Sequence, residues 1–321
     1  MTKYRFRNTD ITVLLAVILA AALSACQPAR AAQPQELAGR PIRVVATTGM
    51  VADVVRNVGG ERVAVETLMG AGVDPHLYKA SEGDVVRLGE ADVIFYSGLH
   101  LEAGMARVLE RIGEHGALTV AITDGIERQR LLSPPEFAEA YDPHVWFDVS
   151  LWMQTIPQVE HALARLDPGS QALYRRNAAA YRQQLVDLDA YLRGQAASLP
   201  ADKRVLVTAH DAFNYFGRAY GFEVRGLQGI STATEASTAD VTGLVDFLVQ
   251  RQIPAVFIES SVPQRNVQAL QEAAQARGWP LAIGGELFSD ALGNPGTPEG
   301  TYIGMVRHNM DTIVAALGGS K

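Results

Sequence analysis

Two short motifs place a histidine directly after an aspartate-proline pair. The sequence DPHLY occupies 74–78 and DPHVW occupies 142–146, so His76 and His144 have the same surroundings, each with an aromatic residue two places later. Proline fixes its own φ and restricts the residue before it to extended conformations, so each motif is a stiff loop that aims an imidazole. A single histidine is usually an ordinary loop residue, but the repeated context predicts one site built from two loops.

Two further polar side chains follow predicted strands later in the chain, His210 after 204–208 and Asp290 after 280–283. In open α/β sheets, ligands bind where loops converge beyond the carboxyl ends of the strands. Three imidazoles and a carboxylate could hold four-coordinate zinc with no position left for water, and a carboxylate bound through both oxygens would also admit manganese. The four residues lie far apart in sequence, and their spacing alone does not show that they meet.

The elements that must position these residues alternate between apolar β-branched runs and amphipathic segments. Strands are predicted at 41–48, 63–68, 91–97 and 118–122, and again at 204–208, 223–227, 254–259 and 280–283. Such alternation indicates parallel sheets covered by helices. Residues 170–199 contain no proline and a single glycine, which predicts one helix of roughly 25–30 residues. We therefore expect an α/β protein in which two parallel-sheet lobes are joined by one long rigid helix.

The N-terminus has the features of a secretory signal. Three basic residues precede an apolar run from 11 to 23, which is too short for a comfortable membrane span. The sequence LSAC at 23–26 resembles a bacterial lipobox, in which Cys26 is lipidated and becomes the mature N-terminus. The alternative is cleavage after Ala31, since ARA at 29–31 also fits a signal-peptidase site. Cys26 is the only cysteine, so the mature chain can form no internal disulfide.

We divide the chain into five parts on these grounds. They are a lipoprotein signal peptide (1–25), a tether (26–40), an N-terminal α/β lobe (41–166), a long connecting helix (167–199) and a C-terminal α/β lobe (200–321). The 321 residues, of which 48% are hydrophobic and 20% charged, are enough for two folded lobes with cores. The net charge of −7 and the lack of a basic-aromatic cluster argue against a nucleic-acid partner.

Six segments together resemble the cluster A-I solute-binding receptors, which serve ABC importers of zinc and manganese. The resemblance covers nearly all of the mature chain. It rests on the two DPH motifs and on SGLHLE at 97–102, TAHDAFNYF at 208–216, IESS at 258–261 and GELFSD at 285–290. It implies metal ligands at His76, His144, His210 and Asp290. It also implies an ABC permease with its ATPase as partners, a membrane anchor through the lipid on Cys26, and a periplasmic or cell-surface location. We expect a monomer.

The resemblance does not decide whether the cargo is Zn²⁺ or Mn²⁺, and Fe²⁺ ranks after both as a candidate. Members of the family carry His or Glu at the third ligand, and His210 resembles receptors that take zinc or both metals. The histidine-rich loop of many dedicated zinc receptors is missing, because only His100 and His115 lie between the first two ligands. We expect His100 either to contact a metal ligand without binding the ion itself, or to lie at the start of a helix. Glu259 is expected either to orient a ligand imidazole or to cap a turn.

Two other functions compete with metal capture. A secreted metallohydrolase would need an open coordination position and a general base beside the metal-bound water. The chain contains neither the HExxH motif nor the GxSxG motif. A surface adhesin with a structural metal is the other alternative, and the sequence does not separate it from a receptor. Asp74 and Asp142, which precede the prolines, are expected to cap turns. We predict a binding protein and not an enzyme, since four protein ligands imply capture without catalysis.

Overall fold

The computed structural model describes residue 37 and residues 39–134 and 140–318. The predicted signal peptide, Cys26 and most of the tether therefore lie outside the described residues. Within the described ranges, no helix combines the length and the apolar character that crossing a bilayer would require.

The first half of the chain forms a four-stranded parallel sheet from β1 (Ile42–Ala46), β2 (Val63–Thr67), β3 (Val93–Tyr96) and β4 (Leu118–Ala121). The order of the strands in the sheet is β2-β1-β3-β4. Its helices are α1 (Gly49–Gly59), α2 (Glu82–Glu90), α3 (Ala106–Glu114), α4 (Val149–Trp152) and α5 (Ile156–Leu166). Polar caps start two of them: Thr48 accepts from the N–H of Val51, and Ser81 forms a capping box with Asp84. The strands end at one edge of the sheet, from which the loop with His76 leaves.

A single helix of 27 residues, α6 (Gln171–Ala197), follows. At 1.5 Å per residue it is about 40 Å long. It begins at Gln171 and not at 167, because Pro168–Ser170 form a short 3₁₀ turn that precedes it. One apolar face of the helix is buried, at positions spaced three or four residues apart, from Tyr174 to Ala196. This face packs on α1 and α5 of the first half and on the last helix of the second half, so α6 supports both.

The second half again consists of parallel strands and helices. Its strands are β5 (Val205–His210), β6 (Glu223–Gln228), β7 (Ala255–Glu259) and β8 (Ala282–Leu287). Its helices are α7 (Asn214–Tyr220), α8 (Thr238–Gln250), α9 (Arg265–Ala276) and α10 (Tyr302–Ala316). The strands form two hydrogen-bonded pairs, β5-β6 and β7-β8, and β5 lies beside β7. The predicted fold class, two parallel α/β lobes with a long helix between them, is confirmed.

The last strand differs from its prediction. It was expected at 280–283 because Gly284-Gly285 resembles a turn, but β8 continues to Leu287. A register shift opposite Val256 and Phe257 absorbs Gly284, the extra residue. An added Cβ at Gly284 would lie 2.7 Å from the ring of Phe257, so the close approach of these strands requires a residue without a side chain here.

The two halves are joined by an aromatic core beside the cleft. The indole N–H of Trp146 donates to the carbonyl of Ser289 at 3.0 Å, and the hydroxyl of Tyr302 donates to the carbonyl of Trp146 at 2.6 Å. Phe147 stacks on Phe213 with ring centroids 4.2 Å apart. These contacts hold the loop after His144 against the residue that precedes Asp290.

Candidate metal centre

Four side chains from separate loops converge in the cleft. His76 lies in the loop after β2, His144 precedes a short 3₁₀ turn, His210 is the last residue of β5, and Asp290 follows β8. One nitrogen or oxygen atom from each of the four lies within 4.8 Å of all the others, and the described residues contain no other cluster of this kind. Two of the four residues precede the long helix and two follow it, so neither half contains the site alone.

The distances match those expected around a small cation. Nε2 of His144 lies 3.3 Å from Nε2 of His76 and 3.3 Å from Oδ1 of Asp290. Oδ2 of Asp290 lies 3.3 Å from Nε2 of His210 and 3.9 Å from Nε2 of His76. Bonds of 2.0–2.1 Å to a tetrahedral zinc ion would separate neighbouring ligand atoms by about 3.3 Å. Both carboxylate oxygens of Asp290 therefore face imidazoles at ligand-to-ligand distances.

Two of these atoms are buried without a hydrogen-bond partner. Nε2 of His210 and Oδ1 of Asp290 are inaccessible to solvent, and neither forms a well-aligned hydrogen bond with a described residue. His144 and His210 are 0% exposed and Asp290 is 1% exposed, whereas His76 is 9% exposed. Burying polar atoms without a partner is costly, so a cluster of such atoms that face one another suits a cation. The donor set fits zinc and, with both oxygens of Asp290, manganese.

Carboxylates orient two of the imidazoles from behind. Oδ1 of Asp142 accepts from Nδ1 of His144 at 2.7 Å and from its backbone N–H at 2.9 Å. Glu259 accepts from Nδ1 of His210 at 2.6 Å and from its backbone N–H at 2.9 Å. A proton held on Nδ1 leaves the lone pair of Nε2 pointing into the cluster, which is the tautomer that a metal requires. The support of His76 is different, because Asp74 accepts from its backbone N–H at 2.8 Å.

The charges in this site shift the pKa values in opposite directions. Burial lowers the pKa of His76 to about 4, and the attraction of Asp290 offsets this only in part. Burial also disfavours the charged form of His144, but the carboxylates of Asp142 and Asp290 outweigh it and raise its pKa to about 8. Glu259 and Asp290 outweigh burial in the same way and raise the pKa of His210 well above its usual value. The two imidazoles in turn overcome burial and hold the pKa of Asp290 well below its usual range. These shifts favour the protonated rings of His144 and His210, and a proton on either ring competes with a metal ion for Nε2.

The other residues singled out from the sequence lie in different environments. Glu259 contacts His210, as one of its two expected roles requires. His100 is exposed, adopts a left-handed conformation with φ of 66°, and lines a surface cavity together with Tyr96 and Arg128. The hydrogen bond between Nδ1 of His144 and Asp142 is not predicted from the sequence, because an aspartate before a proline is expected to cap a turn. The two-residue spacing does not reveal it, because Asp74 has the same spacing from His76 and accepts from its backbone N–H instead.

This combination of fold and site defines the class of paired-lobe metal receptors. The family model described as ZnuA, zinc-uptake complex component A periplasmic, matches residues 44–316, and the chain belongs to that family. The resemblance drawn from the sequence motifs is thereby confirmed.

Individual relatives are similar over most of their length. The chain is 56% identical over 279 residues to the zinc-binding protein TroA of Treponema pallidum (strain Nichols), an overlap of 87% of this chain and 89% of that protein. It is 48% identical over 280 residues to the manganese-binding lipoprotein MntA of Bacillus subtilis (strain 168), an overlap of 87% and 91%. The solved structure of the periplasmic zinc-binding protein TroA from Treponema pallidum superposes with a TM-score of 0.84 at 55% identity, and covers 87% of this chain and 99% of that one.

Proposed function

We propose that the chain is the substrate-binding protein of an ABC importer and that it captures one divalent transition metal ion with His76, His144, His210 and Asp290. The observation that carries the proposal is the convergence of four buried donors, with three separations of 3.3 Å that suit a tetrahedral ion. Relatives named as zinc-binding and manganese-binding proteins support it.

The proposed cargo is Zn²⁺ or Mn²⁺, with Fe²⁺ a weaker candidate. The tetrahedral separations suit zinc, which prefers four nitrogen, sulfur or oxygen ligands. Asp290 directs one oxygen toward His144 and the other toward His210, which offers the additional contact that manganese would use. Any site of this kind binds zinc more tightly than manganese, so the ion carried in the cell also depends on which metal is available.

We propose that the protein has no enzymatic activity. A hydrolytic metal centre keeps a coordination position for water and places a base beside it. Here four protein side chains would fill all four coordination positions of a tetrahedral ion. The ring of Trp146 also packs against the ring of His144, with centroids 5.2 Å apart. The carboxylates nearest the imidazoles, Asp142 and Glu259, are already engaged at Nδ1. This arrangement suits retention of the ion.

The remaining parts of the proposal concern the setting of the site. We propose that Cys26 carries a lipid, that 26–40 tethers the protein to a membrane, and that it works as a monomer in the periplasm or at the cell surface. The two lobes would be 41–166 and 200–321, and 167–199 would be the long helix that connects them. The partners would be a membrane permease and its ATPase, in line with the ABC-transporter names of relatives such as the manganese ABC transporter substrate-binding lipoprotein PsaA of Streptococcus pneumoniae.

Elemental analysis tests the metal assignment directly. The mature chain would be purified without added metal or chelator, and the stripped form would be titrated with Zn²⁺ and Mn²⁺ in competition. We expect about one equivalent of metal, and its loss in His210→Ala and Asp290→Ala. His161→Ala is the matched control, because His161 is exposed on α5. If the wild-type chain bound no metal and neither ion shifted its melting temperature, the proposal would be wrong.

A further inference from the structure

The three imidazoles of the site are not held equally. The rings of His144 and His210 are fixed at Nδ1 by carboxylates, at 2.7 and 2.6 Å. Asp74 accepts from the backbone N–H of His76 at 2.8 Å, so it anchors the loop and leaves the ring less constrained. His76 is also the most exposed of the four donors. It is therefore the donor that can leave a bound ion with the least disruption.

The second oxygen of Asp74 is bound from the other half of the protein. The hydroxyl of Thr232 donates to Oδ2 of Asp74 at 2.6 Å, and Thr232 is only 8% exposed. The two residues are 158 positions apart in sequence. Hydrogen bonds to a carboxylate are stronger than those between neutral groups. One carboxylate thus connects the loop of His76 to the segment 229–236, which we call the latch loop.

The latch loop also touches the strand end that carries His210. The N–H of Asp211, the next residue, donates to the carbonyl of Gly229 at 3.3 Å. On its other side the latch loop borders an open cavity of about 700 Å³, which Ser231, Thr234 and Phe247 help to line. Ile230 at the start of the latch loop is buried, but Ser231 is half-exposed and residues 233–235 are exposed, so this middle part of the loop can shift without unpacking an apolar side chain. The latch loop is thus placed to move while the long helix stays fixed.

We propose that Thr232 is a positioning residue that keeps His76 in the site and thereby sets the rate of metal release. The inference rests on the proposed function, because it concerns the same metal ion. When the latch loop moves toward the cavity, Thr232 separates from Asp74 and the loop of His76 loses its anchor on the second half. His76 then leaves the ion, while His144, His210 and Asp290 still hold it.

The test is the rate at which Zn²⁺ leaves the loaded, full-length mature chain into an excess of chelator, measured by stopped flow. Thr232→Val keeps the shape of the side chain and removes the donor. We expect release roughly ten- to a hundredfold faster, the factor that the loss of a hydrogen bond to a charged group produces. Thr232→Ser keeps the hydroxyl and should release at nearly the wild-type rate.

A matched control lies on the same loop. Thr234 is exposed and its carbonyl, not its hydroxyl, accepts the hydrogen bond from Gln228. Thr234→Val should therefore release zinc as the wild type does. If Thr232→Val binds one zinc ion and releases it at the wild-type rate, the positioning role is wrong while the proposed function stands. If the wild-type chain binds neither zinc nor manganese, the proposed function itself fails.

Asp74→Ala removes the acceptor of the same hydrogen bond. It removes both hydrogen bonds of the carboxylate, so release should be at least as fast as in Thr232→Val, and this variant serves if Thr232→Val does not fold. Adding Thr232→Val to Asp74→Ala should cause no further acceleration, because the partner of the hydroxyl is already gone. Acceleration that is equal in both backgrounds would overturn the proposal and assign Thr232 a general packing role.

Discussion

Replacing Glu259 by glutamine removes the negative charge behind His210 and keeps the size of the side chain. Both groups are fully buried, and the carboxylate binds Nδ1 at 2.6 Å and the backbone N–H at 2.9 Å. The amide can still accept one of these bonds, but it no longer increases the basicity of the imidazole. A carboxylate behind a ligand histidine makes the ring a stronger donor to the metal.

The expected loss is about 10–100-fold in metal affinity, which corresponds to about 1.4–2.7 kcal/mol. A second effect opposes it. Glu259 raises the pKa of His210 and so favours the protonated ring, which competes with the ion. Glutamine lowers that pKa and weakens the competition. We therefore expect the larger loss at pH 8 and a smaller one at pH 6, where proton competition matters most.

Competition titrations with a zinc chelator at pH 6 and pH 8 measure both effects. Glu272→Gln is the matched control, because Glu272 is exposed in the middle of α9. A Glu259→Gln variant that bound zinc as tightly as the wild type at pH 8, or that lost more affinity at pH 6 than at pH 8, would rule out this role of the carboxylate.

Three further outcomes follow from the structure. Calorimetry in buffers of different ionisation enthalpy should show protons released when metal binds at pH 7, from His144 with its pKa of about 8 and from His210 with its raised pKa. The contribution of His144 should disappear as the pH rises past 8, and no proton release at pH 7 would contradict these pKa shifts. Tyr181→Phe deletes the hydroxyl that donates to the buried carboxylate of Asp53 at 2.6 Å. This variant should lower the free energy of unfolding by about 1–3 kcal/mol in denaturant melts of the metal-free chain, and its metal stoichiometry should be unchanged. Gly284→Ala would place a Cβ 2.7 Å from Phe257 and from Ala316, and should lower the free energy of unfolding by about 1–3 kcal/mol in the same melts. Gly243→Ala is the control, because a Cβ added at Gly243 meets open space and should not destabilise the chain in this way.

The sequence predicts the elements well where their local pattern is uninterrupted. The long helix is predicted at 170–199, within the part of the chain assigned as 167–199, and it runs from Gln171 to Ala197, because its interior has no proline and its apolar positions repeat every three to four residues. Strand β8 was predicted too short, since Gly284-Gly285 reads locally as a turn and only pairing with β7 shows that the strand continues. Tertiary pairing overrides local propensity at such positions.

The site was predictable to a similar extent. The repeated DPH motif indicated His76 and His144, and strand ends indicated His210 and Asp290, whose meeting the structure now displays. The turn at Gly98, Leu99 and His100 has positive φ at all three residues, and His100 faces the surface. Side-chain contacts between distant segments, such as Thr232 with Asp74, leave no local pattern in a single sequence.

The division of the four donors between the halves makes metal content a measure of complete folding. A chain in which only one half has folded presents two donors, which bind an ion far more weakly than four. With the four proposed ligands, full affinity would arise only when both halves are docked on the long helix, and the ion would cross-link them. At a free metal concentration a thousand times the dissociation constant, such a ligand adds about 4 kcal/mol to the stability of the folded state. The loaded protein should thus resist heat and proteolysis as one unit, and misfolded copies would be recognisable because they are empty.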